Sequence, residues 1–178
     1  MATASSTERY ASVQILLHWL MLALLVAVYL TAELQEHGEE SPLATWHFAL
    51  GLTVFTLVWL RLLARLVWPA PEPIEGGWRH VLSKITHGIL YVLMISMPLV
   101  GWLLVSAEGA EVSFLGFTLP HLIPAQDHDA AELFEEVHEA GAVIGYWIVG
   151  LHAVAALFHQ YVLRDGLLAR MLPHATKG

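Results

Sequence analysis

Long apolar stretches separated by shorter polar segments dominate the pattern of hydrophobic and polar positions along the chain. A helix needs roughly 20 mostly apolar residues to cross the hydrocarbon core of a bilayer. Four stretches reach that length, at about 12–34, 43–66, 81–105 and 137–163. They are rich in Leu and Ala and lack an alternation of period two, which favours helices over the strands of a membrane barrel. The pattern predicts an all-α integral membrane four-helix bundle, with residues 1–178 forming a single transmembrane domain.

Charged residues sort between the two ends of this predicted bundle. All eight Lys and Arg residues lie on the side that holds both termini and the second linker, together with four of the sixteen carboxylates. That side therefore carries +4, and the other twelve carboxylates give the opposite side −12. Because cytoplasmic loops carry the excess of Lys and Arg, we predict that both termini are cytoplasmic and that the first and third linkers lie outside.

The amino-acid composition excludes several kinds of partner and metal site. Only 13% of the residues are charged, about half the share of an average soluble chain. A net charge of −8 excludes the basic footprint that a nucleic-acid partner requires. The chain has no Cys, which excludes thiolate metal sites and iron–sulfur clusters. Its eleven His residues are the unusual feature, because imidazoles within a bilayer normally face a functional interior.

Five histidines fall into two layers when they are placed by depth. His18 and His87 lie six residues into the first and third helices, roughly 9 Å past the inner boundary, and His152 lies roughly 16 Å in. His47 and His138 lie near the outer boundary. The fourteen residues between His138 and His152 rise roughly 21 Å and end about 40° short of four full turns. Both imidazoles of the fourth helix are thus predicted to face one interior seam.

A helix with two imidazoles on one face, each with a partner on another helix, meets the requirement of two stacked bis-histidine haems. Depth alone leaves His87 competing with His18 for the inner site. Gly51, one turn from His47, and Gly145, midway along the fourth helix between its two histidines, would make room for a flat macrocycle. Close helix packing through small residues is the alternative reading of both glycines. A haem-free, His-lined transporter is a further alternative, although the inner layer offers no carboxylate for a metal ion.

Four segments resemble those of the bacterial cytochrome b561 family, which comprises small dihaem membrane cytochromes related to the cytochrome b subunits of hydrogenases and formate dehydrogenases. They are ILLHWL, WHFALGLTVFTLVWLRLLARLVWP, HGILYVLMISMPLVGW and HEAGAVIGYWIVGLHAVAALFHQYVLRDGLLARMLP. The resemblance spans nearly the whole chain. It implies a multi-pass protein of the bacterial inner membrane with two haems b. In the family pattern His18 and His152 hold the inner haem, and His47 and His138 hold the outer one.

Several polar residues remain near the inner haem in this scheme. His87 and His159 are expected to bind a quinone; His159 lies seven residues beyond His152 and about 20° off its face. Gln14, one turn before His18, and Lys84 are expected to assist as hydrogen-bond donors. The alternative reading of Gln14 and Lys84 is that they only mark interfacial helix ends.

Two arginines, Arg61 and Arg65, lie one turn apart at the inner end of the second helix. Their guanidinium groups would match haem propionates, since Arg binds planar carboxylates in a bidentate manner. The alternative is that they anchor the helix at the cytoplasmic boundary.

The resemblance also implies an activity, because the family includes superoxide oxidases, which take electrons from superoxide at the outer face and reduce ubiquinone near the inner leaflet. The expected function is therefore transmembrane electron transfer from superoxide to ubiquinone. An outer face with twelve carboxylates and no Lys or Arg would slow the approach of an anion. Such a face suits a cationic redox protein, so a non-enzymatic electron conduit from a periplasmic partner to quinone is the alternative.

Overall fold

Four long α-helices make up most of residues 9–34, 42–74 and 76–173, which the computed structural model describes. They are α1 (Ser12–Glu33), α2 (Pro42–Val67), α3 (Trp78–Glu108) and α4 (His128–Phe158). A π-helix, His159–Leu163, continues α4, and a 3-10 helix, Leu168–Met171, follows it. All four spans are long and apolar enough to cross a membrane. The predicted all-α membrane four-helix bundle is confirmed.

The helices pack in chain order, α1 on α2, α2 on α3 and α3 on α4. A small buried core lies where α1, α2 and α3 meet, and it consists of Met21, Val54, Leu57, Val58 and Met94. Elsewhere large apolar side chains point outward; Leu66 is 80% and Trp147 is 63% exposed. Lipid is as apolar as these side chains, so helix association depends on close packing and interhelical hydrogen bonds rather than on burial from water.

The two ends of the bundle are built differently. At one end, which we call the hairpin end, strands β1 (Val112–Phe114) and β2 (Phe117–Leu119) pair in antiparallel register. Their two-residue turn has positive φ at Leu115 (51°) and Gly116 (82°), as a type I′ hairpin turn requires. The opposite end, which we call the termini end, brings the first and last described segments together.

Hydrogen bonds at the termini end join the start of α1 to the residues after α4. The Tyr10 N–H donates to the Arg170 carbonyl at 3.3 Å. The indole Nε1–H of Trp19 donates to the Met171 carbonyl at 2.7 Å. These bonds close the bundle between its first and fourth spans.

The fourth helix begins nine residues earlier than predicted, at His128 rather than 137, so the predicted start is wrong. A carboxylate oxygen of Asp127 accepts the Ala130 N–H at 3.1 Å, which satisfies one of the free N–H groups of the first turn. Neither Gly nor Pro interrupts residues 128–137. Hydropathy detects only the apolar part of this helix, whereas its polar first turns project beyond the apolar span.

The third helix also exceeds its predicted bounds of 81–105, by three residues at each end. Gly77 (φ 70°) precedes it and Gly109 (φ 79°) ends it. A left-handed glycine directly after the last turn is a common helix stop. The bounds of α1 and α2 lie within one residue of the predicted 12–34 and 43–66.

We expect Asp127→Ala to fray the first turn of α4, because the Ala130 N–H loses its acceptor. Loss of such a cap costs about 0.5–2 kcal/mol. Hydrogen exchange followed by mass spectrometry should show faster exchange around residues 129–132. Asp129→Ala is the matched control, since it removes a neighbouring charge but not the cap. Equal exchange in both variants would contradict the role of Asp127.

Candidate cofactor site

The termini-end histidine pair consists of His18 on α1 and His152 on α4. Their ring centroids are 6.4 Å apart and their planes differ by 74°. Imidazole nitrogens bind a metal at about 2.0–2.1 Å, so two rings on opposite sides of one ion have centroids about 6 Å apart. The pair therefore has the separation of two axial ligands of one iron. Both side chains are half-buried.

The hairpin-end histidine pair consists of His47 on α2 and His138 on α4, with ring centroids 6.0 Å apart and planes 76° apart. The Nδ1 atom of His47 lies 3.1 Å from the Val28 carbonyl. Because a carbonyl can only accept, Nδ1 carries the proton and Nε2 keeps the lone pair that binds a metal. A ligating histidine commonly donates its second N–H in this way.

Two of the other three rings lack a well-formed hydrogen bond of this kind. The Nδ1 atoms of His18 and His138 are buried without such a bond among the described residues, although the Met97 backbone lies close enough to His138 to interact with it. A metal bound at Nε2 would fix each ring through the opposite nitrogen. The termini-end pair thus contains one imidazole, His18, that no hydrogen bond within the described residues holds.

A cavity of about 220 Å³ lies beside the hairpin-end pair and opens to the outside of the bundle. All four helices line it, mostly with apolar side chains. Gly51 and Gly145 both lie in this lining, and a Cβ at Gly51 would meet no atom within 4 Å. The structure therefore places both predicted glycines in the wall of the cavity where a flat group would lie.

Glycines that the sequence analysis missed bring helices close to the same cavity. A Cβ at Gly101 would lie 3.2 Å from Cε1 of His138, so α3 supports that imidazole with its bare backbone. A Cβ at Gly141 would collide with the sulfur of Met97, which also lines the cavity. Gly141 lies one turn from His138 on the same face of α4, so its position could have been predicted from the sequence. The contact of Gly101 with His138 could not, because it depends on how α3 packs on α4.

A third imidazole joins the termini-end pair. The ring centroid of His87 lies 5.5 Å from that of His152, and its Nδ1–H donates to the Ser83 carbonyl at 2.6 Å. The 6.4 Å separation of His18 and His152 and the 5.5 Å separation of His87 and His152 both lie within about 0.5 Å of the spacing expected for two imidazoles on one ion. The competition that depth left open therefore persists as three rings at one level.

Arg61 lies within the bundle beside these rings. Its guanidinium carbon is 5.9 Å from the ring centroid of Tyr91, and it acts electrostatically on His18, His87 and His152. In the part of the chain that the structure describes, no carboxylate forms an ion pair with it. An anionic group of a cofactor, such as a haem propionate, would supply the missing countercharge. Arg65, one turn on, is exposed.

The four residues expected to bind a quinone are not gathered into one cluster. Gln14 is buried, and its amide is used in the protein: Nε2–H donates to the Trp68 carbonyl at 2.8 Å and Oε1 accepts the Ala11 N–H at 3.2 Å. Lys84 is exposed on α3. His87 lies against His152, and His159 pairs with Asp165. Gln14 therefore joins the start of α1 to the end of α2.

Within the described ranges, no three His, Asp or Glu side chains are arranged to hold a metal ion by themselves. Instead, His47 and His138 meet as a pair beside the cavity, and His18 and His87 both meet His152.

Sequence comparisons identify relatives of this chain. The family model described as "Prokaryotic cytochrome b561" matches residues 9–174. The chain is 32% identical over 172 residues to "Probable superoxide oxidase CybB" of Yersinia pestis, covering 93% of this chain and 97% of that one. It is 33% identical over 174 residues to "Cytochrome b561 homolog 1" of Escherichia coli K12, covering 93% and 98%. It is 31% identical over 172 residues to "Cytochrome b562" of Cereibacter sphaeroides, covering 92% and 94%.

We expect Gly145→Ala to destabilise the bundle, because the new Cβ would lie 2.8 Å from Oη of Tyr29. That hydroxyl donates to the Ala142 carbonyl at 2.8 Å, so the clash disturbs an interhelical hydrogen bond. Overpacking costs about 1–3 kcal/mol. Thermal unfolding in nanodiscs should show a lower midpoint. Gly150→Ala is the matched control on α4, where a Cβ meets nothing within 4 Å; an equal drop there would contradict the explanation.

Proposed function

Because the chain belongs to the prokaryotic cytochrome b561 family, and is thus a haem b electron-transfer protein of the bacterial inner membrane, we propose that it is a dihaem cytochrome that oxidises superoxide and reduces ubiquinone. His18 and His152 hold one haem, and His47 and His138 hold the other. The observation that carries the two-haem part of this proposal is the pair of ring separations, 6.4 and 6.0 Å, on opposite stretches of α4. Haems at these two levels would supply a one-electron path across the bilayer.

The protein's own residues set the conditions for that path. The Val28 carbonyl orients His47 through Nδ1, and Gly101 lets His138 lie against α3. Gly51 and Gly145 keep side chains out of the cavity. At the other level, Arg61 places a positive charge beside the histidines, where it would bind haem propionates and favour the electron-rich state of the site.

The proposed orientation follows from charge. The described cations lie at the termini end, namely Arg9, Arg61, Arg65, Arg79, Lys84, Arg164 and Arg170. We therefore assign this end to the cytoplasm and the hairpin end to the periplasm. Ubiquinone is reduced at the termini end, where His87 lies against His152 and His159 lies seven residues beyond it in the chain, and the donor acts at the hairpin end.

A second candidate function has its own observation. The exposed residues Glu132, Glu136 and Glu139 recur along one face of α4 at the hairpin end, with no cation among the described residues there. Such a surface repels superoxide and attracts a positively charged partner. Superoxide is supported by the relative named "Probable superoxide oxidase CybB". The acidic face supports a non-enzymatic conduit from a cationic periplasmic redox protein to quinone.

We expect His47→Ala and His138→Ala each to remove one haem per chain and leave the other, because each haem has its own ligand pair. The haem-to-protein ratio should fall from two to one, and the reduced-minus-oxidised spectrum should keep the bands of the remaining haem. His121→Ala, an exposed histidine at the same end, should retain two. Two haems in the His138→Ala variant would contradict the pairing.

The two donors can be separated by neutralising the acidic face. In the double variant Glu132→Gln/Glu136→Gln, we expect superoxide consumption coupled to quinol formation to accelerate by about two- to fivefold at low ionic strength, because the repulsion falls. Reduction of the haems by a cationic c-type cytochrome should slow instead, and salt should suppress both changes. Glu72→Gln, an exposed carboxylate at the termini end, serves as the control. Wild-type superoxide decay no faster than spontaneous dismutation would eliminate superoxide as donor.

A further inference from the structure

The chain turns back sharply after α4, and this turn brings a carboxylate onto a histidine. The helix widens into the π-helix His159–Leu163, and Arg164 (φ 53°) and Gly166 (φ 78°) then adopt left-handed backbone conformations. As a result Oδ2 of Asp165 accepts the Nδ1–H of His159, six residues back. Single-turn π-helices occur frequently at functional sites, and a non-glycine residue in the left-handed region is uncommon enough to suggest a constraint.

Both oxygens of Asp165 are engaged. Oδ1 accepts the Leu167 N–H at 2.9 Å, while Oδ2 accepts from His159. Burial raises the pKa of Asp165, but the hydrogen bonds from His159 and Leu167 outweigh it, so that this pKa lies below its usual value. The group therefore remains a carboxylate at neutral pH, and it is held in one orientation from two sides.

This contact decides which nitrogen of His159 is available. A carboxylate only accepts hydrogen bonds, so Nδ1 carries a proton directed at Asp165, and Nε2 is the nitrogen left for another partner. The side chains of His159 and Asp165 are 24% and 14% exposed, so the pair is partly sheltered yet open on one side. His159 lies seven residues beyond His152, a rise of roughly 10 Å along α4.

We propose that Asp165 is a positioning residue for quinone reduction, holding His159 so that its Nε2–H faces the quinone as the proton donor. The inference rests on the proposed function. Reduction of a quinone to a quinol takes two electrons, which the proposed function supplies, and two protons. In each protonation the Nε2–H bond breaks, an O–H bond forms on a quinone carbonyl oxygen, and Nε2 takes up a proton from cytoplasmic water. The Asp165 carboxylate keeps Nδ1 protonated throughout, so that the transferred proton is the one on Nε2.

The arrangement differs from a simple helix stop. The Leu167 N–H needs only Oδ1, and a neutral amide oxygen would serve it equally well. The charged contact with His159 is the part that a neutral side chain cannot reproduce. Asp165→Asn therefore preserves the turn and removes the charge, whereas Asp165→Glu preserves the charge at a slightly greater reach.

The test is a single-turnover measurement that bypasses the periplasmic donor. Purified protein in nanodiscs, with its haems chemically reduced, is mixed with a short-chain ubiquinone, and haem oxidation is followed at several quinone concentrations. The variants are Asp165→Asn, Asp165→Glu, His159→Gln and the double variant Asp165→Asn/His159→Gln. Glu72→Gln controls for loss of a termini-end carboxylate. Haem content and spectra verify that each variant is intact.

We expect Asp165→Asn to lower the maximal rate by about 10–100-fold, as loss of an orienting partner commonly does, with the half-saturating quinone concentration within about twofold of wild type. Asp165→Glu should recover most of the rate. In the His159→Gln background the Asn substitution should add less than about twofold. A wild-type rate in Asp165→Asn, or an equal loss with and without His159, would overturn the proposal.

A second measurement tests the contact between His159 and Asp165 in the absence of quinone. Carbethoxylation of His159 by diethyl pyrocarbonate, quantified by peptide mass spectrometry, should become about threefold faster or more in Asp165→Asn, because the charged hydrogen bond no longer holds the ring and covers Nδ1. Glu72→Gln should match wild type. An unchanged modification rate would overturn the pairing. Reduced wild-type haems that ubiquinone does not oxidise would overturn the quinone function itself, and the carbethoxylation result would still decide the pairing.

Discussion

The structure depends on the register of two imidazoles along one helix. α4 carries both His138 and His152, and each meets a ring from another helix. Fourteen residues bring the two side chains to nearly the same face, roughly 21 Å apart. A shift of a single residue between them would rotate one ring by about 100°. The ring separations of 6.4 and 6.0 Å therefore constrain how α1 and α2 can lie against α4.

Polar groups inside the bundle have partners that also join helices. His47 donates to the Val28 carbonyl, Tyr29 to the Ala142 carbonyl and Gln14 to the Trp68 carbonyl. In a bilayer an unpaired polar group costs several kcal/mol of free energy. These hydrogen bonds avoid that cost and also fix the helices relative to one another. Among the described residues, Nδ1 of His18 is buried without a hydrogen-bond partner and Arg61 has no carboxylate paired with it. In the proposed function both would lie beside a haem.

The two ends of the bundle carry different chemistry, which fits directional electron transfer. The hairpin end exposes carboxylates along α4, and in the proposed function these would select among donors by charge. The termini end combines cations, a third imidazole and the His159–Asp165 pair, which are groups that stabilise anions and move protons. Electron transfer between haems needs no protons, whereas the proposed quinone reduction needs two. Proton-handling side chains would accordingly be required at one end only.

Hydropathy and charge by themselves determined the four spans, and the proposed orientation rests on charge alone. Helical periodicity determined the depths and shared face of His138 and His152, since these are properties of single helices. Three features were decided only by the tertiary structure. The meeting of His87 with His152 and the support of His138 by Gly101 depend on which helix faces oppose each other. The contact between His159 and Asp165 spans six residues, a separation that does not return to the same helix face. It required the chain to leave the α-helix through a π-helix and two left-handed residues. Helical periodicity applies only to a regular α-helix, so it could not predict this contact.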